Sequence, residues 1–263
     1  MDMRKKENKY LSFVDNDVFI EAIKHVRGSL DDALLFEKSV IQSIKDDDIF
    51  SSKLFSNSID PFSMQYGMIF SSDEAWLETE VRRQLYKTFE QKIGEFHQML
   101  LGGVEGWNDL GVGDETKVDL CNDDETIFLE LKNKHNTCND DALGKVRDKL
   151  TAVLDGHPDA NAHWAFIIPK TVNRSGSKVW KKKGTEDRQR LYKTWGSEVY
   201  RIVTGNSDDL LETYTALDAA LSYISKEDKK DSLELIGSRI LDLVKNHKDS
   251  IKEQVFSKTF VKK

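Results

Sequence analysis

The 263-residue sequence contains little cysteine and proline, and it has no long uncharged apolar run. Its two cysteines, Cys121 and Cys138, are too few for a disulfide scaffold and are typical of a reducing compartment. The first ten residues, MDMRKKENKY, are charged, and no segment of the signal-peptide or membrane-span type follows them. We therefore expect a cytoplasmic protein that does not bind a membrane.

Several enzyme motifs are also missing. No histidine or cysteine pair has the spacing of a zinc site, and the chain has no HExxH motif, nucleophile elbow or phosphate-binding glycine loop. A metalloprotease, a serine hydrolase or a nucleotide-dependent kinase is therefore unsupported. The net charge of -7 excludes a general polycation, so an anionic partner requires a local basic patch.

The two ends of the chain have helical patterns. Residues 15–28 (DNDVFIEAIKHVRG) predict a helix, with further helical pattern after it, whereas residues 46–70 are rich in turn residues and have no clear pattern. Ser71 and Glu74 have capping-box spacing at the start of a long amphipathic helix. Two more helices are predicted near the C-terminus, at about residues 208–224 and 232–256.

The middle of the chain has strand patterns. Residues 116–122 (TKVDLCN) and 126–133 (TIFLELKN) predict a hairpin after a glycine-broken loop. A helix over residues 141–156 and a buried strand over residues 163–170 (HWAFIIPK) follow, an order that implies a right-handed crossover. Residues 198–205 (EVYRIVTG) predict one more strand.

Together these elements predict an α/β fold, with a small mixed β-sheet flanked by helices and extra helices at the N- and C-terminal ends. No linker or repeat is visible, so the chain is predicted to be a single domain over residues 1–263. Within it we expect a helical N-terminal extension over residues 1–70, a core over residues 71–205 and C-terminal helices over residues 206–263.

The second strand of the predicted hairpin carries charges on one face. The pattern Glu, any residue, Lys occurs five times, but only Glu130 and Lys132 lie inside an apolar strand, where both side chains share a face. Asp119 on the partner strand brings a second carboxylate to the same end of the sheet. Two carboxylates this close repel each other unless a cation lies between them, and oxygen ligands suit Mg²⁺ or Mn²⁺ better than zinc.

We interpret Asp119, Glu130 and Lys132 as a candidate site for phosphodiester hydrolysis. The two carboxylates would hold a metal that activates a water molecule, and Lys132 would orient that water and stabilise charge on a phosphate oxygen. The alternative is a surface ion pair between Glu130 and Lys132, with Asp119 an unrelated residue near a turn. The position of these residues on paired strands, before a helix and a buried strand, favours the hydrolytic site.

These residues resemble the signature of the PD-(D/E)XK nuclease superfamily. Its strand-turn-strand motif is matched by VDL at Asp119 and by LELK at Glu130 and Lys132, with Val118 in the place of the proline. Within the superfamily, the stretches GWNDLGVGDETKVDL and FLELKNKHNT are similar to type II restriction endonucleases that cut GGNCC-type sites. The resemblance is close over about residues 102–169.

This resemblance implies a restriction-endonuclease-like core and a type II restriction endonuclease. Such an enzyme would depend on Mg²⁺, or on Mn²⁺ in its place, and would cut double-stranded DNA at a short palindromic, G/C-rich site. Because a palindrome presents the same half twice, a two-fold homodimer is expected, and the host would carry a companion DNA methyltransferase. The alternatives are another nuclease of the superfamily, for repair or junction cleavage, and a DNA-binding module that does not cut.

The resemblance also implies roles for particular residues. Asp119 and Glu130 are expected to be metal ligands, and Lys132 is expected to be the catalytic lysine. Many members of the superfamily add a glutamate from the helix before the hairpin, and Glu80 and Glu90 are both candidates for it. A solvated helix face is the other interpretation of each of these glutamates.

DNA contacts are expected near the site and in a basic stretch. From residue 170 to residue 193, nine basic residues stand against two acidic ones, which predicts a mobile basic loop for the phosphate backbone or, alternatively, a solvated surface. Lys134 should face the same side as Lys132, and Asn136 either contacts DNA or caps the next helix. Arginines in this stretch could form bidentate hydrogen bonds with O6 and N7 of guanine in the major groove. The candidate DNA contacts are Lys134, Asn136, Arg174, Lys181, Lys182, Lys183, Arg188 and Arg190.

Overall fold

A computed structural model describes residues 9–46, 48, 51–56, 59–111, 118–136, 138–171, 174–181, 189–227, 231–246 and 251–260. Within these ranges the chain forms ten helices and six strands, which confirms the α/β class. The helices are α1 (Asn16–Arg27), α2 (Ser29–Lys45), α3 (Lys53–Ser56), α4 (Pro61–Phe70), α5 (Asp73–Gly102), α6 (Asp140–Gly156), α7 (Ser197–Thr204), α8 (Asp209–Glu227), α9 (Leu233–Lys245) and α10 (Ile251–Phe260). The strands are β1 (Trp107–Asp109), β2 (Leu120–Asn122), β3 (Ile127–Lys134), β4 (Asn161–Ile168), β5 (Gly176–Val179) and β6 (Leu191–Trp195).

The six strands form one mixed sheet in the order β1-β2-β3-β4-β6-β5. β2 and β3 pair antiparallel as the predicted hairpin, and β4 pairs parallel with β3 after the crossover through α6. β6 continues the parallel part, and β5 closes that edge antiparallel to β6. The predicted hairpin and the strand, helix and strand order are therefore confirmed, while β1 is an edge strand inside the segment predicted as a loop.

The chain divides into two compact units. The first combines Met1–Val26 with Ile93–Glu227 and contains the sheet, and the second combines Arg27–Lys92 with Asp228–Lys263. The subdivision at residues 70 and 205 follows neither boundary, and the single domain stays a prediction. No helix among the described residues has the length and apolar character of a membrane span.

Helices cover both faces of the sheet in the first unit. Because successive strand residues point to opposite faces, Leu129 and Leu131 enter one core together with α1, α5, α7 and α8. Phe128 points to the other face and enters a second core with α6 and Trp164. Residues 162–167 of β4 are all buried, as predicted for a strand covered on both sides.

The second unit has a helical core in its described residues, built from α2, α3, α4, α9, α10 and the first part of α5. Within the segment that has no clear sequence pattern, α4 begins at Pro61, and the Asp60 carboxylate accepts a hydrogen bond from the Phe62 N–H. The long helix α5 begins at Asp73, so Ser72 and not Ser71 is the residue directly before it. The Ser72 hydroxyl, rather than that of Ser71, accepts from the first turn of α5 at 3.1 Å.

The strand predicted over residues 198–205 is wrong, because Ser197–Thr204 form helix α7. Its β-branched side chains favour a strand locally, but Val199, Tyr200 and Val203 are buried on one helical face. Gly205 ends the helix in the left-handed conformation, with φ of 86°. Burial against the sheet therefore outweighs the local preference.

Two further predictions need correction. The stretch from residue 170 to residue 193 is not one mobile loop, because it contains β5 and most of β6. Two helices were predicted after residue 206, and the described residues contain three, since the second splits into α9 and α10. The first error arises because polar and charged residues conceal the strands, and the second because one helix was predicted to continue past Lys245, where α9 ends.

Candidate active site

Asp119 is held beside β3 through both its backbone and its side chain. Its N–H donates to the Leu129 carbonyl at 3.1 Å, and its own carbonyl accepts from the Leu110 N–H at 3.0 Å. The carboxylate Oδ2 accepts from the Leu131 N–H of β3 at 2.6 Å. The side chain therefore takes the place of a backbone acceptor next to β3, which fixes its position near Glu130.

Glu130 is the buried centre of the cluster, with 3% of the residue exposed. Its Oε1 accepts from Lys132 Nζ at 2.8 Å, and its Oε2 accepts from Lys149 Nζ at 2.5 Å. Lys132 Nζ also lies 3.5 Å from Asp119 Oδ2. A carboxylate of β3 and one from the residue directly before β2 thus converge on one ammonium group.

The structure brings together the three residues selected from sequence, and it adds Lys149 of α6. Glu130 and Lys132 lie on the face of β3 that α6 covers, since they share it with Phe128. Sequence reasoning missed Lys149 because its partner is 19 residues away along the chain. Its one sequence signal, a lysine beside the buried Leu150 on an amphipathic helix, is common to many helices.

The surroundings of Asp119 disfavour its ionised form. Burial raises the pKa of Asp119 and the charge of Glu130 raises it further, which outweighs the opposing effects of Lys132, the Leu131 N–H and Lys149. Burial alone would lower the pKa of Lys132, but the charges of Asp119 and Glu130 outweigh burial and raise it. Lys132 is therefore a cation at neutral pH.

The donor set fits a hard divalent cation. Asp119 and Glu130 supply two neighbouring carboxylates, and no group of three or more His, Cys, Asp or Glu side chains within the described ranges is arranged to hold a metal. Both carboxylates present an oxygen to the point where the Lys132 ammonium lies. Carboxylate oxygens with water in the remaining positions are the usual protein site for Mg²⁺, whereas zinc is more often bound by nitrogen and sulfur ligands.

The two candidate glutamates of α5 have different surroundings. Glu80 is 8% exposed and accepts hydrogen bonds from Arg83 and Gln84, so it is not on a solvated face. Glu90 is exposed, as expected for a solvated face. Both belong to the second compact unit, and a role for either in the site stays a prediction.

The predicted DNA contacts are dispersed. Asn136, Arg174 and Lys181 are exposed, and Lys134 is half-buried on the same face of β3 as Lys132. Arg190 precedes β6 and donates to the Pro158 carbonyl and the Asp159 carboxylate. Asn139 caps α6, so Asn136 does not. Lys182, Lys183 and Arg188 lie outside the described residues.

A row of cations and aromatic rings continues from the site across the sheet. Strand register aligns Glu130 with Trp164, then with Lys193 on β6, then with Lys178 on the β5 edge. The Lys193 ammonium lies 4.5 Å from the ring centre of Trp164 and 4.7 Å from that of Trp180. Burial lowers the pKa of Lys193, and the charges of Lys178 and Arg147 lower it further. The basic stretch thus contributes positive charge on the face that carries Glu130 and Lys132.

A mixed sheet between helices, with a cluster of two carboxylates and a lysine on adjacent strands, is typical of restriction-endonuclease-like nucleases. Comparison with known proteins gives the family directly. The model of the Eco47II restriction endonuclease family matches residues 11–226, and the chain belongs to that family.

Two relatives are similar over most of their length. The chain is 30% identical to the type II restriction enzyme Sau96I of Staphylococcus aureus, over 97% of each chain. It is 34% identical to the type II restriction enzyme Eco47II of Escherichia coli, over 72% of this chain and 90% of the relative. The family predicted from the residues around Asp119 and Glu130 is therefore confirmed.

Proposed function

We propose that this chain hydrolyses double-stranded DNA in the presence of Mg²⁺ at a short palindromic, G/C-rich site of the GGNCC type. The observation that carries the proposal is the convergence of Asp119 and Glu130 on the Lys132 ammonium, in a member of a restriction endonuclease family. The names of its relatives, both type II restriction enzymes, support a sequence-specific cut.

The carboxylates and the lysine of the cluster have different roles in hydrolysis. Asp119 and Glu130 hold Mg²⁺, or Mn²⁺ in its place, which supplies a Lewis acid for the water and the phosphate. Lys132 is protonated, since its pKa is raised. It orients the attacking water and stabilises the negative charge that develops on the phosphate oxygens.

DNA binds beside α6, with the scissile phosphate at Lys132 and with Lys178 and Lys193 of the same sheet face near its other phosphates. Neighbouring strands are about 4.8 Å apart, so Lys193 is about 10 Å and Lys178 about 14 Å from Glu130 across the sheet. Lysines at these distances suit phosphates that flank the scissile one. Of the contacts predicted from sequence, Lys134 shares this face.

The enzyme acts as a homodimer with one site per DNA strand. A palindromic sequence has two-fold symmetry, and a two-fold dimer of this chain presents two Asp119–Glu130–Lys132 clusters related by the same axis. The host protects its own DNA with a companion methyltransferase, which need not contact this chain.

The test is incubation of the purified protein with unmethylated plasmid DNA, with and without Mg²⁺. Wild-type protein should give discrete fragments, and Asp119→Ala or Lys132→Ala should lower the cleavage rate at least about a hundredfold. Asp124→Ala is the matched control, because Asp124 is an exposed carboxylate in the turn of the same hairpin. It should cut at the wild-type rate.

The other outcomes discriminate the alternatives. Random degradation of the plasmid would contradict site specificity and would indicate a repair or junction nuclease. Binding without cutting would indicate a DNA-binding module. Full activity in Asp119→Ala or Lys132→Ala would show that the hydrolytic site lies elsewhere.

A further inference from the structure

Lys149 makes a contact that the proposed roles of Asp119, Glu130 and Lys132 leave unexplained. Its ammonium lies 2.5 Å from Glu130 Oε2, while Lys132 contacts the other oxygen, Oε1, at 2.8 Å. Each oxygen of the buried carboxylate therefore has its own cation. The two lysines differ in their partners, because Lys132 lies between both carboxylates, at 3.5 Å from Asp119 Oδ2, whereas the ion pair of Lys149 is with Glu130.

The fold delivers Lys149 to this position through the crossover. α6 follows β3 and packs on the face of the sheet that holds Glu130, with Val146, Leu150 and Val153 buried in the same core as Trp164. Lys149 directly precedes Leu150, and its side chain is 25% exposed. Its aliphatic stem thus lies along the helix interface, and its ammonium reaches a carboxylate whose side chain is 4% exposed.

We propose that Lys149 is a positioning residue for Glu130, an inference that rests on the proposed function of the Asp119–Glu130 pair. By holding Oε2, Lys149 leaves Oε1 as the single Glu130 oxygen that faces the same point as Asp119 Oδ2. A carboxylate fixed at one oxygen cannot rotate to chelate with both. Mg²⁺ prefers regular octahedral coordination by single oxygens, so this restraint favours the geometry that it needs.

A direct role in holding DNA is the competing explanation for a quarter-exposed lysine near the site. The two roles differ in what removal of the ammonium changes. A phosphate contact contributes to DNA affinity without metal and to its salt dependence. A positioning contact changes metal affinity and the rate of the chemical step, and it leaves metal-free DNA binding intact.

The experiment compares Lys149→Met, Lys149→Arg and the matched control Lys145→Met. Lys145 is exposed one turn earlier on α6, and methionine keeps the aliphatic stem at either position. Binding of MgCl₂ alone is measured by titration calorimetry. Single-turnover cleavage is followed at several Mg²⁺ concentrations. Affinity for a duplex is measured in chelator over a range of salt concentrations.

We expect Lys149→Met to weaken Mg²⁺ binding and to slow cleavage, each by roughly 10- to 100-fold, with unchanged metal-free DNA affinity and salt slope. Lys149→Arg should recover most of the cleavage rate, and Lys145→Met should match the wild type. Unchanged or tighter Mg²⁺ binding in Lys149→Met would overturn the proposal, as would a smaller salt slope with unaltered metal affinity.

Two further results separate this inference from the proposed function. If the wild-type protein binds Mg²⁺ but cuts no DNA, the proposed function fails, while the calorimetric comparison still decides the role of Lys149. If Lys149→Met does not fold, as judged by circular dichroism, Lys149→Gln takes its place, because its amide can still donate to Glu130 Oε2 but carries no charge. Weaker Mg²⁺ binding than in Lys149→Arg supports the inference, and Mg²⁺ binding equal to that of the wild type overturns it.

Discussion

Replacement of each carboxylate of the cluster by its amide should abolish cleavage in both cases and should shift stability in opposite directions. Glu130→Gln removes the charge that faces two ammonium groups, at 2.8 Å and 2.5 Å. Asp119→Asn removes a charge that the fold disfavours, and its amide oxygen can still accept from the Leu131 N–H. The two variants therefore distinguish the effect of each carboxylate on stability from its effect on cleavage.

The magnitude for Glu130→Gln follows from burial. Removing one partner of a buried ion pair costs about 3–5 kcal/mol, because the remaining charge stays desolvated. The side chains of Lys132 and Lys149 are 29% and 25% exposed, so water screens part of this cost. We expect a loss of about 3 kcal/mol in the free energy of unfolding.

The sign for Asp119→Asn follows from proton linkage. Burial, together with Glu130, raises the pKa of Asp119, so the folded state holds the proton more tightly than the unfolded state. Stability from this group is fully present below the unfolded pKa and is lost as pH rises through the folded pKa. Asp119 therefore costs stability at neutral pH compared with acidic pH, and the Asn variant should be at least as stable as the wild type.

The assay is urea unfolding in chelator at neutral pH, followed by tryptophan fluorescence. Four of the five tryptophans, at positions 107, 164, 180 and 195, belong to the first compact unit, so the signal follows the unit that contains the site. A shift of the urea midpoint at constant slope gives the change in stability. If Asp119→Asn were destabilised as strongly as Glu130→Gln, the assigned electrostatics of the pair would be refuted.

Two more predictions concern other parts of the first unit. Burial lowers the pKa of His163 to about 4 from 6.5, so stability is lost as pH falls below the unfolded pKa, by about 2 kcal/mol between pH 7 and pH 5. His163→Gln should remove that part of the pH dependence in urea titrations, and an identical pH profile would contradict it. Lys178→Met should weaken DNA binding and lower the slope of log affinity against log salt by about 1, as measured with a labelled duplex. An unchanged slope would mean that Lys178 does not contact a phosphate.

The parts of the fold that sequence could predict are those set by local pattern. The alternating charges at Glu130 and Lys132, the turn before them and the apolar run of β4 are each visible within about ten residues. The hairpin and the crossover therefore follow from sequence, and with them the convergence of Asp119 on the same strand end.

The parts that sequence could not predict depend on contacts between distant segments. α7 contains the β-branched Val199 and Val203, and only its burial against the sheet selects a helix. β5 and β6 lie in a basic stretch with no alternating apolar pattern, where Lys193 is accommodated by the rings of Trp164 and Trp180. In both cases the residues whose packing determines the structure are distant along the chain, so the local sequence pattern does not contain them.

The same distinction explains the site itself. The motif on β2 and β3 contains two carboxylates and one lysine, which would leave Glu130 with one unneutralised oxygen in a nearly water-free position. The crossover through α6 places that helix over this face, and the Lys149 ammonium contacts the second oxygen of Glu130, so two cations face the two carboxylates. The local motif therefore supplies the three groups of the candidate site, and the topology of the chain adds the lysine that contacts the second oxygen of Glu130.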